Sequence, residues 1–166
     1  MTDIIIELIK RYKDLGILVD TNILLLYFIG QVDPNRIPLF KRTTQFVVED
    51  FTLLCNLLGL FKRIVSTPNI LTEVNSLSQQ LGEPVRTKYF DIFAKQIHVL
   101  DEHYVKSKVV AEREEFVKLG LTDSVIIDLS LKKYLVLTDD FRLSNYLSKN
   151  GIDVINFNHI RVAGWT

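Results

Sequence analysis

Five acidic residues of this chain could together hold a divalent cation. Asp20 directly follows a short apolar run, the pair Asp139 and Asp140 directly follows another, and Glu73 and Asp123 lie in segments of helical spacing. Oxygen ligands with no histidine or cysteine nearby suit a hard ion such as Mg²⁺ or Mn²⁺. Because such an ion lowers the pKa of a bound water and stabilises charge on a phosphate, the set predicts hydrolysis of a phosphate ester or diester.

Short apolar segments are expected to form the strands that position these acids. The sequence predicts strands over 17–19, 63–66, 134–138 and 153–157, with a further strand over 98–101. Helical segments lie between them, including one long amphipathic helix over 39–58 and another that begins near Thr122, its predicted N-cap. Apolar strands that alternate with helices indicate an α/β layered fold with a mostly parallel central sheet.

The carboxyl ends of the predicted strands are where the acids could meet. In open parallel sheets, ligands bind just beyond those ends, and right-handed crossovers bring the ends to one edge. Taken singly, each acid also has an ordinary explanation: Asp20 caps a helix, Asp123 complements a helix dipole, Glu73 is an exposed helical residue, and the Asp139–Asp140 pair forms a turn. The order of the whole set along the chain favours a site.

Composition and charge exclude several classes of protein. Twenty basic and twenty acidic residues give zero formal net charge, which argues against a protein that coats nucleic acid or anionic membrane. No apolar run approaches the roughly 20 residues needed to span a bilayer, and the first residues lack the pattern of a signal peptide. The single cysteine, Cys55, cannot form an internal disulfide, so we expect a cytoplasmic protein without membrane partners.

The chain is predicted to form a single domain over residues 1–166. A length of 166 residues suffices for a full hydrophobic core. Residues 1–16 are expected to be an amino-terminal helical extension that ends near Gly16, and residues 17–157 the core that carries the acids.

Four short motifs, in their order along the chain, resemble the PIN-domain nuclease family. They are Val19-Asp20-Thr21-Asn22, Leu71-Thr72-Glu73-Val74, Leu121-Thr122-Asp123-Ser124 and Val136-Leu137-Thr138-Asp139-Asp140-Phe141. The resemblance covers about residues 17–157. It implies a three-layer α/β/α sandwich with a mostly parallel sheet, and metal-dependent cleavage of RNA with Mg²⁺ or Mn²⁺ as cofactor.

The resemblance also implies roles for individual residues. The catalytic acids would be Asp20, Glu73, Asp123 and Asp140, and the metal ligands Asp20, Asp123, Asp140 and Asp139. Asp140 matches the fourth acid because it follows a threonine by two positions, and Asp139 is the competing choice. Asn22 would support Asp20 by hydrogen bonding, and Thr138 would offer a hydroxyl near the scissile phosphate. Apart from the resemblance, the basic residue Arg142 follows Asp140 by two positions and is the candidate for contact with a substrate phosphate.

These residues together predict a metal-dependent endoribonuclease, which includes the toxin of a toxin–antitoxin or defence system. The partners that this implies are RNA, an antitoxin or regulatory protein, and a second copy of the chain in a homodimer. The alternative is a catalytically inactive PIN-like module that binds RNA or protein. A haloacid-dehalogenase-type phosphatase is disfavoured. Such an enzyme needs a second aspartate two positions after the first as its general acid, and this chain has Asn22 there.

Overall fold

Five short parallel strands form the central sheet of the computed structural model, which describes residues 3–131 and 133–163. The strands are β1 (Ile17–Val19), β2 (Ile64–Ser66), β3 (Asp101–Glu102), β4 (Leu135–Thr138) and β5 (Val154–Asn156). They lie in the order β3-β2-β1-β4-β5, and each neighbouring pair is parallel. The predicted α/β fold is therefore confirmed. The two ends of the predicted domain, residues 1–2 and 164–166, lie outside the described residues.

Helices and one 3-10 segment connect the strands and complete a three-layer α/β/α sandwich. The helices are α1 (Asp3–Tyr12), α2 (Thr21–Val32), α3 (Val48–Leu58), α4 (Pro68–Ser78), α5 (Val85–Ile97), α6 (Ser107–Ala111), α7 (Phe116–Leu119), α8 (Leu121–Ser130), α9 (Phe141–Lys149) and α10 (Phe157–Ala163), and the 3-10 segment is Pro34–Leu39. Strands β1 and β4 are buried along their whole length. This burial explains why they are continuous apolar runs in the sequence, since helices cover both faces of a parallel sheet.

The direction of the chain across the sheet reverses between β1 and β4. From the central strand β1 the chain moves outward to β2 and β3, and it then returns to the other side of β1 to add β4 and β5. In the register of this pair, Val19 lies opposite Leu137. Ligands of open parallel sheets bind beyond the carboxyl ends of the strands at such a reversal. A ligand site is therefore expected just after Val19 and Thr138, and this region is called the crevice below.

Helix α2 connects the crevice with the hydrophobic core. Asp20 caps this helix, and most of its residues are buried, because α2 packs against α3, α4 and α5. Phe28 from α2 meets Tyr89 and Phe93 from α5 in edge-to-face contacts with ring centroids 6.4 and 5.1 Å apart. Although α2 is strongly apolar, no helix in the described residues is long and apolar enough to cross a membrane.

The prediction of one long helix over 39–58 is wrong for the first half of this range. The 3-10 segment ends at Leu39, and α3 begins only at Val48. The Thr43 hydroxyl donates a hydrogen bond to the Ile37 carbonyl at 2.7 Å, which folds the chain into turns there. Asp50 accepts a hydrogen bond from the backbone N–H of Val47 at 2.9 Å and so fixes the start of α3.

Helix α1, the predicted amino-terminal extension, packs on the core. Its apolar side chains Ile5, Leu8 and Ile9 lie against the core, and Tyr12 is buried. The hydroxyl of Tyr12 donates to Asp153 at 2.9 Å, and Arg11 donates to the same carboxylate at 2.7 Å. These contacts attach α1 to the turn before β5.

Candidate active site

Asp20 lies in the crevice between β1 and β4, where hydrogen bonds fix both of its carboxylate oxygens. Oδ2 accepts a hydrogen bond from the Thr138 hydroxyl at 2.6 Å, and Oδ1 accepts one from the backbone N–H of Thr21 at 2.6 Å. The residue is only 7% exposed. The start of α2 and the end of β4 thus fix the orientation of this first acid.

Glu73 extends from α4 to the start of two other helices. Its Oε2 accepts a hydrogen bond from the Thr21 hydroxyl of α2 at 2.7 Å, and its Oε1 accepts one from the Thr122 hydroxyl of α8 at 2.5 Å. The hydrogen bond from Ile70 N–H to the Thr67 hydroxyl caps α4 and sets the position of this helix. Glu73 is exposed, as the ordinary explanation expects, but both of its carboxylate oxygens accept hydrogen bonds from neighbouring helices.

The prediction that Thr122 caps α8 is wrong. The helix begins one residue earlier, at Leu121, and its N-cap position is Gly120. Gly120 has a φ of +86°, a left-handed conformation that glycine adopts without the steric penalty of a side chain. Since Gly120 occupies the N-cap position, the hydroxyl of Thr122 is available to donate to Glu73.

Asp123, in the first turn of α8, is half-buried and lies within electrostatic reach of three other acids. Burial is the largest cause that raises its pKa to about 7, and the negative charges of Asp20, Asp140 and Glu73 raise it further, whereas Arg142 lowers it. Burial likewise raises the pKa of Asp20 to about 6 against the lowering effect of its hydrogen bonds. The charges of the other three predicted catalytic acids therefore disfavour ionised Asp123, and those of Asp139 and Asp140 disfavour ionised Asp20.

The two consecutive acids after β4 have different surroundings. Asp140 caps α9, because its Oδ1 accepts hydrogen bonds from the backbone N–H groups of Arg142 and Leu143 at 2.6 and 3.2 Å. The carboxylate of Asp139 instead accepts hydrogen bonds from the side-chain amides of Asn22 at 3.3 Å and Gln45 at 2.8 Å. Burial raises the pKa of Asp139. Both oxygens of Asp139 thus accept hydrogen bonds from side-chain amides, whereas Oδ1 of Asp140 accepts hydrogen bonds from the backbone of α9.

The three supporting residues lie at the site, but two of them have partners other than those expected. Asn22 donates to Asp139 and not to Asp20, whose oxygens are taken by Thr21 and Thr138. The buried Thr138 hydroxyl does not face open space, because it donates to Asp20 and accepts the Asp140 N–H at 3.0 Å.

Arg142 lies at the rim of the crevice. Its Nη2 donates to the Lys118 carbonyl near the end of α7 at 2.7 Å, and the side chain is exposed. Its positive charge stabilises ionised Asp123 and so lowers the pKa of that carboxyl. Arg142 is thus near the acids and open to solvent, as a residue that contacts a substrate phosphate must be.

A cleft of about 610 Å³ adjoins Glu73 and Asp123. It is bounded by α4, by the segment that follows β3, and by the start of α8. Its lining residues are Pro68, Asn69, Thr72, Glu73, Tyr104, Ser107, Leu119, Gly120, Leu121, Thr122 and Asp123. A molecule bound in this cleft would touch two of the four acids.

The side chains of this crevice are compatible with Mg²⁺ or Mn²⁺. They offer carboxylate oxygens, which these ions prefer, and their mutual repulsion favours a bound cation. In the described residues, no three histidine, cysteine, aspartate or glutamate side chains form a ready-made metal-binding group. Mg²⁺ commonly uses one or two protein carboxylates and completes its coordination with water and substrate phosphates.

Three residues of the site were not predicted as such. Thr21 and Thr122 each stand beside an acid in the sequence, which is the signal that could have identified them. Gln45 gave no signal, because the helical spacing around it predicted a position within a continuous helix. It reaches Asp139 only because the chain turns before α3.

Comparison with known proteins leaves the chain without an assigned family. A scan against models of protein families finds no model that matches it, and a search of curated proteins finds no significant match. The PIN-domain resemblance therefore rests on the four sequence motifs.

Proposed function

We propose that this protein is a metal-dependent endoribonuclease of the PIN-like type. The observation that supports the proposal is that Asp123 is half-buried within electrostatic reach of Asp20, Asp140 and Glu73, near the reversal point of a parallel sheet, so that burial first and these charges next raise its pKa. Carboxylates that repel one another beside a cleft are typical of a site that binds a cation and an anionic substrate.

Each part of the crevice has a role in the proposed reaction. Asp20, Asp123 and Asp140 would hold Mg²⁺ or Mn²⁺, and the bound ion supplies the activation of water and the stabilisation of phosphate charge. Glu73, held by two hydroxyls, faces the cleft where it can orient a water molecule. Arg142 offers a cation to a phosphate oxygen of the strand at the rim of the site.

The remaining expectations about partners and cellular role are part of the same proposal. RNA is the proposed substrate, and an antitoxin or other regulatory protein is the proposed partner of a toxin-type enzyme. The homodimer and the cytoplasmic location stay predictions.

The proposal is tested by incubating the purified protein with transfer RNA, ribosomal RNA and synthetic single strands. We expect cleavage in Mn²⁺ or Mg²⁺, none in EDTA, and recovery when Mn²⁺ is added back in excess. Asp20→Asn and Asp123→Asn should each lower the rate by at least about 100-fold, since each removes a charged metal ligand.

The matched control is Asp91→Asn, because Asp91 is an exposed aspartate on α5 outside the crevice. It should cleave RNA like the wild type, which shows that the loss of activity in the other two variants comes from the crevice and not from the removal of any carboxylate. Cleavage that persists in Asp20→Asn, or that needs no metal, contradicts the proposal. Binding of RNA without cleavage by the wild type would instead favour the inactive module.

A further inference from the structure

An exposed tyrosine lies at the edge of the cleft beside the acids. Tyr104 comes two residues after the end of β3, so it lies at the same edge of the sheet as Asp20. It is 71% exposed, although it is a large aromatic residue. It lines the cleft that Glu73 and Asp123 also line. An aromatic face is therefore open to a ligand close to the proposed reaction centre.

The walls of the cleft suit a planar ring with polar edges. Pro68, Leu119 and Leu121 contribute apolar surface, while Asn69 and Ser107 contribute polar groups. Neither Asn69 nor Ser107 has a side-chain hydrogen bond in the part of the chain that the structure describes. The volume of about 610 Å³ lies within the range of pockets that enclose small ligands. The cleft can thus hold one nucleotide.

We propose that Tyr104 stacks on an unpaired base of the nucleotide next to the reacting phosphate, an inference that rests on the proposed ribonuclease function. Bases of single-stranded RNA are recognised by stacking on aromatic side chains, with hydrogen bonds to their exposed edges. A base inside a duplex has both faces covered by its neighbours. Tyr104 therefore selects single-stranded segments, and Asn69 and Ser107 are placed to contact the base edge.

The test uses a short single-stranded RNA that carries one 2-aminopurine, whose fluorescence falls when it stacks. Binding is measured in Ca²⁺, with phosphorothioate linkages, and a gel confirms that the strand stays intact. The wild type and Tyr104→Phe, which keeps the ring, should quench the probe. Tyr104→Ala should not quench it and should bind about 5- to 150-fold more weakly, the range expected for one stacked base.

Val99→Ala is the matched control. Val99 is 73% exposed, close to the value for Tyr104, but it precedes β3 and lines a different pocket together with Lys62, which precedes β2. It therefore lies at the opposite edge of the sheet. This variant should bind and quench the probe like the wild type.

The outcomes separate this inference from the nuclease proposal. Equal quenching by Tyr104→Ala and the wild type, or failure of the wild type to bind the single strand, overturns the stacking role. So does equally tight binding of a fully paired duplex. If the probe binds and is quenched through Tyr104 but no RNA is cleaved in Mg²⁺ or Mn²⁺, the nuclease proposal fails and the stacking role stands.

Discussion

Replacing Asp20 by asparagine is expected to stabilise the metal-free protein while it abolishes cleavage. In the folded state Asp20 is buried beside other acids, and its pKa is raised from 3.8 to about 6. Because the folded pKa lies above the unfolded one, this group contributes most to stability below about pH 4, and that contribution is lost as the pH rises through 6. Above that pH the wild type carries an unfavourable buried charge.

The size of the effect follows from the shift of about two pKa units. At roughly 1.4 kcal/mol per unit, ionisation of Asp20 lowers the free energy of unfolding by about 3 kcal/mol. Asparagine removes this charge, but its amide oxygen cannot accept hydrogen bonds from both Thr21 and Thr138 as the two carboxylate oxygens do. The lost hydrogen bond costs about 1 kcal/mol. The net gain at neutral pH is therefore about 2 kcal/mol.

The assay is urea unfolding of wild type and Asp20→Asn in EDTA at two pH values. Near pH 7.5 the variant should be the more stable one, with a free energy of unfolding about 2 kcal/mol higher. Near pH 4 the difference should vanish or reverse, because wild-type Asp20 is then protonated. Added Mn²⁺ should stabilise the wild type more than the variant. A variant that is less stable at pH 7.5, or a difference that does not change with pH, refutes the reasoning.

Substitutions at three further positions test contacts of the site and the core. Thr122→Val removes one of the two hydroxyls that hold Glu73 and should slow RNA cleavage about 10-fold. Thr122→Ser keeps a hydroxyl and should cleave at the wild-type rate. Equal rates for Thr122→Val and the wild type would contradict the role of this hydroxyl. Asp139→Asn should keep more than about a tenth of the activity, because two side-chain amides already occupy that carboxylate. Gly30→Ala should lower the free energy of unfolding by about 1–3 kcal/mol in a denaturant titration, since its Cβ would lie 2.2 Å from the Phe51 ring; unchanged or higher stability would contradict this.

The positions of the acids along the strands could be predicted from the sequence. Apolar runs that end at Asp20 and at the Asp139–Asp140 pair indicate buried parallel strands, and the parallel geometry brings their carboxyl ends together. The sequence did not reveal that β1 and β4 are neighbours. That pairing places Thr138 against Asp20 and depends on how all the helices pack.

Contacts between distant segments could not be predicted, because they depend on where helices begin. Gln45 and Asp139 are 94 positions apart, and the contact exists only because the 39–47 segment turns. The apolar residues in that segment fit helical spacing equally well, so periodicity alone favoured a helix there. Similarly, Thr122 was predicted to cap α8 because threonine is common at N-cap positions. The structure has Gly120 at this position, in a left-handed conformation.

Threonine hydroxyls explain how the crevice keeps acids together that repel one another. Thr21, Thr122 and Thr138 each stand beside an aspartate in the sequence, and each donates its hydroxyl to an acid of a different element: the first two to Glu73 and the third to Asp20. Because these bonds cross between elements, the acids cannot move apart without breaking the contacts between α2, α4, α8 and β4. The repulsion therefore remains in the metal-free fold, where it lowers stability and favours cation binding. A substitution that frees Glu73 should consequently weaken Mn²⁺ binding even though it removes no charge.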